Sequence, residues 1–487
     1  MNVLFVQDNA LDESQAVVDL AALLRSRGHR PTLLLDREER DLERSAREAR
    51  PDLVILPCSM LNHGWARKMS LRLRAALGRV PLVIGGTAPT LFPDALRDAQ
   101  ADLIIRGEAE RPVLGLLEAL DGGARAADVH GVPGLFRDTG SRWDGTPAGA
   151  PFDPADLPLA DKDLYYARYP FMRQMPSKRF IASRGCHHRC TYCYIPTLNK
   201  VQPKSEDGRR VRRKTPEQAV EDVAREAALG PLGHVHFSDD LFTNDPDWLD
   251  AFAPLYRERV GLPFTCNTSA ELIDDRTARA LSEAGCFACG FAVETGNQRL
   301  RIKVLRKGVT TDHLREAAGH LKRNGIRVTT FNMIALPGET PEEALETALL
   351  NADLGASFVR LNFAFPMPGT GMADYALEEG FLPPDWLASY SSPTFRYRPG
   401  PQFQSPHDRA FKNLFVLFRL LVAQQSLLPV VRRALSAPTL GPLHQLLTLQ
   451  AAWNDKQQLR IPVVAGLKFF AHVGRPELRS TNFPALI

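Results

Sequence analysis

The sequence predicts an α/β protein with a wound parallel-sheet domain, a partial barrel and a helical C-terminal region. Within residues 1–125, five short apolar runs alternate with helical patterns. Between residues 178 and 370, six strand–helix units follow one another. Near-continuous Val, Ile and Leu runs are typical of strands buried on both faces, as in parallel sheets. Helical apolar spacing over 411–435 and 443–453 predicts helices that close the barrel mouth.

The first domain, predicted over residues 1–135, has the alternation of a flavodoxin-like fold. Its five predicted strands lie at residues 3–7, 31–35, 52–57, 81–84 and 102–106. Such sheets bind ligands at the carboxyl ends of their strands. Here those ends are rich in glycine and small polar residues, which let a bulky planar ligand approach the backbone. We therefore expect a ligand site along this edge.

The rest of the chain divides into three predicted segments. Residues 136–175 are a connector, because much of this stretch is rich in Gly, Pro, Asp and Ser without a sustained period. The core follows over 176–385 and a helical C-terminal domain over 386–487. Within the core, the basic run 209–214 is predicted to be a solvated loop, and the alternative is a contact with a phosphate or a nucleic acid. A capping box at Thr215 predicts the start of the next helix.

Composition narrows the functional class. Apolar content of 44% and charged content of 24% are those of an ordinary globular protein. A net charge of +4 gives no case for nucleic-acid binding, and no apolar stretch is long enough to span a bilayer. Seven cysteines, three of them in one loop, argue against a disulfide scaffold. We expect a cytoplasmic monomer without a signal peptide.

Cys186, Cys190 and Cys193 form a Cys-x3-Cys-x2-Cys motif on one short loop. Three thiolates can hold three irons of a cubane cluster. Because iron–sulfur clusters are normally held by four cysteines, a loop with three implies an outside ligand on the remaining iron. The spacing differs from the Cys-x2-Cys pairs of zinc sites. The alternative is a zinc site completed by His187 or His188.

This motif resembles that of the radical S-adenosylmethionine (SAM) superfamily, in which SAM occupies the open iron. The resemblance implies a [4Fe-4S] cluster and SAM as cofactors, a partial (β/α)6 TIM-type barrel, and an electron donor such as flavodoxin or ferredoxin. It places Tyr192 against the adenine. Ser238, Asp239 and Asp240 would accept hydrogen bonds from the SAM ammonium. Glu294 resembles the family carboxylate near the ribose or ammonium. The alternatives are an N-cap and a salt-bridge partner for the aspartates, and a surface ion pair for Glu294.

Residues 84–93 and 105–108 closely resemble the cobalamin (B12)-binding domain that precedes many radical SAM cores. The resemblance implies cobalamin as a third cofactor. The Asp-x-His-x-x-Gly signature that ligates cobalt is absent after the first strand, so we expect binding without a protein histidine. We expect His63 to be a solvated or hydrogen-bonded residue, as a lone histidine in a loop usually is, and the alternative is that it reaches the cobalt. A degenerate, empty sheet is the alternative. The predicted cobalamin contacts are Ser59, Leu61, Gly85, Gly86, Thr87, Pro89, Gly107 and Glu108.

Together these resemblances imply a cobalamin-dependent radical SAM C-methyltransferase. Such an enzyme methylates an unactivated carbon of a small-molecule or natural-product substrate through a 5′-deoxyadenosyl radical and methylcobalamin. One alternative is an oxidative cyclase or another radical enzyme that transfers no methyl group. A weaker alternative is a non-catalytic cobalamin or redox sensor. No charge pattern in the C-terminal region selects a substrate class.

Overall fold

The computed structural model describes residues 1–8, 13–392, 400–438 and 440. The helix predicted over 443–453 lies outside them. The strands are β1 Asn2–Gln7, β2 Arg30–Leu35, β3 Leu53–Pro57, β4 Leu82–Gly85, β5 Leu103–Ile105, β6 Leu135–Asp138, β7 Trp143–Gly145, β8 Ser177–Phe180, β9 Ser183–Arg184, β10 Arg212–Arg213, β11 His234–Phe237, β12 Phe264–Thr268, β13 Cys286–Glu294, β14 Arg327–Ile334 and β15 Phe358–Phe363.

The α-helices alternate with these strands through most of the chain. They are α1 Gln15–Ser26, α2 Leu42–Glu48, α3 His63–Leu77, α4 Thr87–Leu91, α5 Glu110–Asp121, α6 Asp163–Tyr166, α7 Pro170–Arg173, α8 Ile195–Val201, α9 Pro216–Leu229, α10 Pro246–Arg259, α11 Asp275–Ala284, α12 Thr311–Arg323, α13 Pro341–Asp353, α14 Gly371–Glu378, α15 Trp386–Ser391, α16 Asp408–Ala423 and α17 Leu428–Leu435. No helix within these described ranges is long and apolar enough to cross a membrane.

The N-terminal sheet has the strand order β2-β1-β3-β4-β5, and all five strands are parallel. Helices α1 and α5 cover one face and α2 and α3 the other, so both faces are buried in apolar cores. This order is that of a flavodoxin-like fold, and the prediction is confirmed. The strands β6 and β7 extend the sheet in antiparallel fashion beyond β5.

Residues 136–175 connect the two sheets but form more than a loop. They contain β7 and most of β6, and the short helices α6 and α7. The side chains of Tyr165, Tyr166 and Tyr169 are buried in the core between the N-terminal sheet and its helices. Burying these aromatic rings stabilises a stretch whose composition shows no helical or strand period.

The core sheet contains six parallel strands in the order β8-β11-β12-β13-β14-β15. Each strand follows its neighbour in sequence through a crossover, as in a barrel, and in the described chain the edge strands β8 and β15 do not pair with each other. The sheet is therefore the predicted partial barrel. Val235 and Phe237 face the helices and are buried, whereas His236 between them faces the interior.

Two local expectations around the basic run have different outcomes. The capping box is confirmed, because the Thr215 hydroxyl accepts from the Gln218 N–H at 3.2 Å and the Gln218 side chain accepts from the Thr215 N–H at 2.9 Å. The solvated loop over 209–214 is wrong for its second half. Arg212, Arg213 and Lys214 are all buried, since carboxylates from other segments accept from Arg212 and Lys214.

The C-terminal helices α16 and α17 do not close the barrel mouth. Their apolar faces pack against α13 and the outer face of β15, where Phe411, Leu414 and Phe418 are buried. The preceding helix α15 instead packs against the N-terminal domain, and Tyr390 is fully buried there. Apolar periodicity over 411–435 predicted helical structure correctly, which the chain divides between α16 and α17, but it did not indicate which surface these helices cover.

Candidate functional site

The cysteine loop lies beyond the carboxyl end of β8, and Thr191 within it is hydrogen-bonded to another segment of the core. Thr191 donates its N–H to the Leu305 carbonyl at 2.9 Å and its hydroxyl to the Val304 carbonyl at 2.7 Å. The loop is therefore held against the segment that follows β13.

The cysteine sulfurs lie in surroundings that suit metal-bound thiolates. The His188 N–H points to the Cys186 sulfur at 3.4 Å, and the Ile195 N–H points to the Cys193 sulfur at 3.5 Å. Such hydrogen bonds tune the sulfurs of iron–sulfur clusters. Burial raises the pKa of Cys186 to about 11 and that of Cys193 to about 12, and a metal that binds them as thiolates would displace their protons. No group of three Cys, His, Asp or Glu side chains is arranged as a preformed metal site in the described part of the chain, so Cys186, Cys190 and Cys193 remain the predicted ligands of an iron–sulfur cluster.

The histidines needed for the zinc alternative are engaged elsewhere. The His188 Nε2 atom lies 3.0 Å from a carboxylate oxygen of Glu271. Although burial raises the pKa of Glu271, hydrogen bonds from His188 and Ser269 outweigh it and lower the value to about 2. The His187 ring packs against the His188 ring with centroids 4.4 Å apart. The loop thus offers no histidine poised beside its cysteines as a fourth zinc ligand.

The two adjacent aspartates after β11 have different surroundings. Asp239 is buried, and its carboxylate accepts from the Ala182 N–H at 3.1 Å and from the Ser183 N–H and hydroxyl at 2.5 Å each. Burial raises the pKa of Asp239 despite these bonds and despite Arg213 nearby. Asp239 therefore holds the backbone that enters the cysteine loop, which differs from the SAM contact expected from the sequence.

Asp240 and Ser238 offer polar groups to a ligand. The Asp240 residue is exposed, and no described residue forms a hydrogen bond or an ion pair with its side chain. The surrounding protein, and then the charge of Asp239, raise the pKa of Asp240 to about 6. The Ser238 hydroxyl is buried, and no described residue is hydrogen-bonded to it. A buried hydroxyl without a partner is costly, so this position suits a ligand that supplies one.

Tyr192 and Glu294 meet in the structure although 102 residues separate them. The Tyr192 hydroxyl donates to the Glu294 carboxylate at 2.6 Å. Glu294 is 6% exposed, so it is not the surface ion pair that was the alternative. Its backbone has a positive φ of 64°, just after a register shift in β13, and strain of this kind is concentrated at functional sites. Burial raises the pKa of Glu294, against the effects of Lys307 and Tyr192.

Glu339 is a further buried carboxyl group at a strand exit, and sequence reasoning did not select it. Its Oε2 accepts from the Leu336 N–H at 3.1 Å, whereas its Oε1 is buried and has no partner among the described residues. Burial raises its pKa to about 8. The sequence feature that could have indicated Glu339 is the run Leu-Pro-Gly-Glu-Thr, in which a glutamate follows a strand and a glycine turn.

Two of the three glycines predicted at the edge of the N-terminal sheet, Gly86 and Gly107, are constrained by the protein itself. Gly86 has a φ of 120°, and a Cβ there would lie 2.5 Å from the Cys58 carbonyl oxygen. A Cβ at Gly107, with a φ of 97°, would lie 3.0 Å from the Gln202 side chain, and one at Gly85 would make an ordinary contact. The sequence prediction explained Gly86 by the space a ligand needs, but its close approach to Cys58 already excludes a side chain.

Hydroxyl groups join the strand ends at this edge. The Thr87 hydroxyl accepts from the Met60 N–H at 3.2 Å, which links the exits of β3 and β4. The Thr90 hydroxyl donates to the Gly86 carbonyl at 2.6 Å and accepts from the Gly107 N–H at 3.0 Å, which links β4 and β5. Sequence reasoning missed Thr90, although threonine in a glycine-rich turn is a common hydrogen-bonding residue.

The other predicted cobalamin residues differ in accessibility. Ser59 is exposed, Leu61 is half-buried and Pro89 is buried. Beside them, the Arg106 guanidinium donates to the Thr90 carbonyl at 3.2 Å, while its buried Nε has no hydrogen-bond partner in the described chain. An unsatisfied donor at the carboxyl edge suits a polar ligand such as cobalamin, whose periphery carries amides and a phosphate.

His63 does not face this edge. Its ring is fully buried, stacks on Tyr390 at a centroid distance of 4.5 Å, and has its two nitrogens 3.0 Å from the Met60 carbonyl and 2.9 Å from the Tyr390 carbonyl. Both nitrogens thus contact backbone oxygens, which leaves neither for cobalt.

The carboxyl edges of the two sheets face each other. Tyr194, directly after the cysteine loop, and Phe365 and Met367, directly after β15, pack against the apolar core of the N-terminal domain. At the exit of β5, the Glu108 carboxylate contacts Arg212 and Arg184 of the core domain. Glu108 therefore makes a domain–domain contact, which its predicted role did not include. Ligands bound at either edge would share one cleft.

Two family models match the chain in the regions just described. Residues 15–117 match the B12 binding domain, and residues 180–350 match the radical SAM superfamily. The first match runs from the start of α1 to within α5 and leaves out β1, and the second begins at the end of β8 and ends within α13.

The chain is also similar to curated proteins. It is 24% identical to an uncharacterized methyltransferase of Pyrococcus horikoshii, over 62% of this chain and 64% of that protein. The same identity relates it to the cytidylyl-2-hydroxyethylphosphonate methyltransferase of Streptomyces wedmorensis (62% of each) and to the anaerobic magnesium-protoporphyrin IX monomethyl ester cyclase of Rubrivivax gelatinosus (72% and 64%). The chain spans less than two thirds of the length of each of these relatives.

Solved structures share the fold. The radical SAM methyltransferase TsrM of Kitasatospora setae, with cobalamin and a [4Fe-4S] cluster bound, matches with a TM-score of 0.64 at 20% identity, over 77% of this chain and 78% of that one. The cobalamin-dependent SAM radical enzyme OxsB, with aqua-cobalamin bound, matches with a TM-score of 0.68 at 13% identity, over 98% and 75%. The three-cysteine loop and the two domain matches together lead to one conclusion. The chain combines a radical SAM domain with a B12-binding domain, and the cofactors of these two domains are a [4Fe-4S] cluster, SAM and cobalamin.

Proposed function

We propose that this chain is an enzyme that transfers a methyl group to an unactivated carbon of a small molecule. One observation carries the proposal: the carboxyl edge of the B12-binding sheet faces the carboxyl edge of the barrel, with the cysteine loop between them. When bound, the cluster and SAM supply a 5′-deoxyadenosyl radical, and cobalamin supplies a transferable methyl group. A substrate carbon in the shared cleft is then within reach of both.

The chain's own residues bind and orient these groups. Cys186, Cys190 and Cys193 hold the cluster. Asp240, at the open side of the cleft, accepts from the SAM ammonium, because its carboxylate has no partner among the described residues. Glu294 stays buried and receives the Tyr192 hydroxyl, which fixes the aromatic ring where the adenine is expected. Asp239 acts on the loop backbone and not on SAM.

Cyclisation without methyl transfer is the second candidate. It is supported by the similarity to the Rubrivivax cyclase, which covers 72% of this chain, against 62% for the two methyltransferases. Methylation is supported by the names of those two relatives and by the fold shared with TsrM. The two candidates use the same cofactors, so the fate of the SAM methyl group decides between them.

The deciding experiment follows an isotopic label. The full chain, loaded anaerobically with iron, sulfide and cobalamin, is incubated with SAM carrying a trideuterated methyl group and a reduced flavodoxin or ferredoxin. We expect 5′-deoxyadenosine, and label on the protein-bound cobalamin by mass spectrometry. A Cys193→Ala control retains cobalamin and forms no deoxyadenosine. Deoxyadenosine without label on cobalamin contradicts methylation and supports the cyclase. Neither product from a fully loaded protein contradicts both and supports a sensor.

A further inference from the structure

A buried ionic cluster joins the N-terminal domain to the strand that enters the cysteine loop. Arg184, on β9, donates to Asp19 at 2.7 Å and to Glu110 at 2.6 Å, and lies 3.3 Å from Glu108. Arg212, on the paired strand β10, contacts the same Glu108 carboxylate through both of its terminal nitrogens. These side chains are 3–18% exposed.

Each charged side chain of this ionic cluster lies against one of opposite charge. Burial alone disfavours the Arg184 charge, but the carboxylates of Glu110, Asp19 and Glu108 more than offset it and raise the pKa of Arg184. Burial likewise raises the pKa of Asp19, and the cations Lys214 and Arg184 reverse this, so the net direction is downward. A buried ion pair of good geometry contributes little net stability, but breaking one leaves an uncompensated charge. Such a cluster therefore specifies one arrangement of the two domains more than it stabilises either.

Glu108 contacts the polypeptide on both sides of the cysteine loop. Its carboxylate binds Arg184, two residues before Cys186. Its backbone N–H donates to the Gln202 side chain at 2.8 Å, and Gln202 ends helix α8, which follows Cys193. Glu108 itself lies at the exit of β5, on the edge predicted to contact cobalamin. One residue thus ties the edge of the B12-binding sheet to both ends of the loop that holds the cluster.

We propose that Glu108 and Arg184 are positioning residues that set the separation between the cobalamin edge and the iron–sulfur cluster. This rests on the proposed function to the extent that both cofactors act on one substrate. The exposed ion pair between Arg111 and Glu206 joins neighbouring segments of the same two domains at 2.7 Å, with side chains 45% and 76% exposed. Because exposed pairs contribute little, it provides a matched control.

The test measures geometry in the fully loaded full-length protein, without turnover. Pulsed electron paramagnetic resonance gives the distance distribution between cob(II)alamin and the reduced cluster, and hydrogen exchange reports the backbone amides of residues 184–194. We expect Glu108→Gln and Arg184→Lys to broaden the distribution and to speed exchange by at least about tenfold, since the loop opens more often once its anchor is lost. Arg111→Gln should match the wild type in both measurements.

If Glu108→Gln and Arg184→Lys also match the wild type, the inference is wrong and the ionic cluster of Arg184, Arg212 and their carboxylates is only a buried salt bridge. Should Glu108→Gln fail to fold, Gln202→Ala decides, because it removes one uncharged hydrogen bond. Loss of one such hydrogen bond predicts exchange about fivefold faster than in the wild type. That result supports the inference, and unchanged exchange overturns it. Neither measurement needs a substrate. Failure of methyl transfer with a narrow wild-type distance would therefore contradict the proposed function and not the positioning role.

Discussion

The adjacent carboxylates Asp239 and Asp240 provide a matched test of which group supports the fold and which serves the ligand. The same change, aspartate to asparagine, is made at each. Asp239 accepts three hydrogen bonds from Ala182 and Ser183, whereas Asp240 accepts none from the described residues. We expect Asp239→Asn to destabilise the core domain, whereas Asp240→Asn should not destabilise it.

The loss of unfolding free energy expected for Asp239→Asn follows from the hydrogen bonds that asparagine cannot make. Its amide keeps one acceptor oxygen and turns an NH2 donor toward either Ala182 or Ser183. At least one hydrogen bond to a charged group is lost, and a buried N–H is left unsatisfied. These terms together lower the free energy of unfolding by about 2 to 4 kcal/mol. Asp240→Asn breaks no hydrogen bond with a described residue and removes a charge that the folded state disfavours, as the raised pKa of Asp240 indicates, so it should not lower the free energy of unfolding.

The assay combines urea unfolding, followed by circular dichroism, with reductive cleavage of SAM. Asp240→Asn should retain iron and cobalamin and slow formation of 5′-deoxyadenosine by more than about tenfold, or roughly 1.4 kcal/mol of lost transition-state stabilisation. Asp239→Asn should unfold at lower urea and lose iron, because the backbone entering the cysteine loop is no longer held. Equal stability of the two variants would refute this division. So would normal SAM cleavage by Asp240→Asn.

Four further expectations concern the cofactors and a buried carboxyl group. Reconstituted protein should carry about four irons and four sulfides per chain, and Ala at Cys186, Cys190 and Cys193 should abolish them; stoichiometric zinc in the wild type would contradict this. Glu294→Gln should keep both metal cofactors and slow SAM cleavage more than about tenfold. Earlier unfolding with normal SAM cleavage would contradict this role. His63→Ala should leave cobalamin retention unchanged, and an optical spectrum showing protein nitrogen on cobalt would be the opposite outcome. Glu339 has a folded pKa of about 8, above its usual 4.5, so its neutral form contributes stability that is complete below pH 4.5 and is lost as the pH rises to 8. Glu339→Gln should therefore gain stability over the wild type across that range, and parallel pH profiles in urea unfolding would disprove the shift.

Features encoded by neighbouring residues could be predicted from the sequence. The five strand runs, the cysteine spacing and the capping box at Thr215 each depend on a few consecutive residues, and the structure has them as expected. The family resemblance placed Tyr192 and Glu294 beside SAM, but their hydrogen bond was not predicted. The two residues are 102 positions apart, and no local pattern indicates that they meet.

Features that depend on distant partners could not be predicted. Asp239 and Asp240 are the same residue type, and only the path of the chain after β11 decides which carboxylate turns inward. The basic run was predicted to be solvated because positively charged residues stand together in the sequence. Their partners, Glu108 and Asp222, lie outside the run, so the local sequence does not show that these charges are paired. Gly86 was attributed to a ligand, since nothing in the local sequence shows how close the Cys58 carbonyl comes.

The central claim is that the facing edges of the two sheets hold cluster and cobalamin around one cleft. Anomalous diffraction at the iron and cobalt absorption edges, from anaerobic crystals of the loaded protein, tests it most directly. We expect one iron site at Cys186, Cys190 and Cys193, and one cobalt site in the cleft, between the exits of β3–β5 and the cysteine loop. Cobalt outside that cleft, or iron away from the three cysteines, would contradict the account.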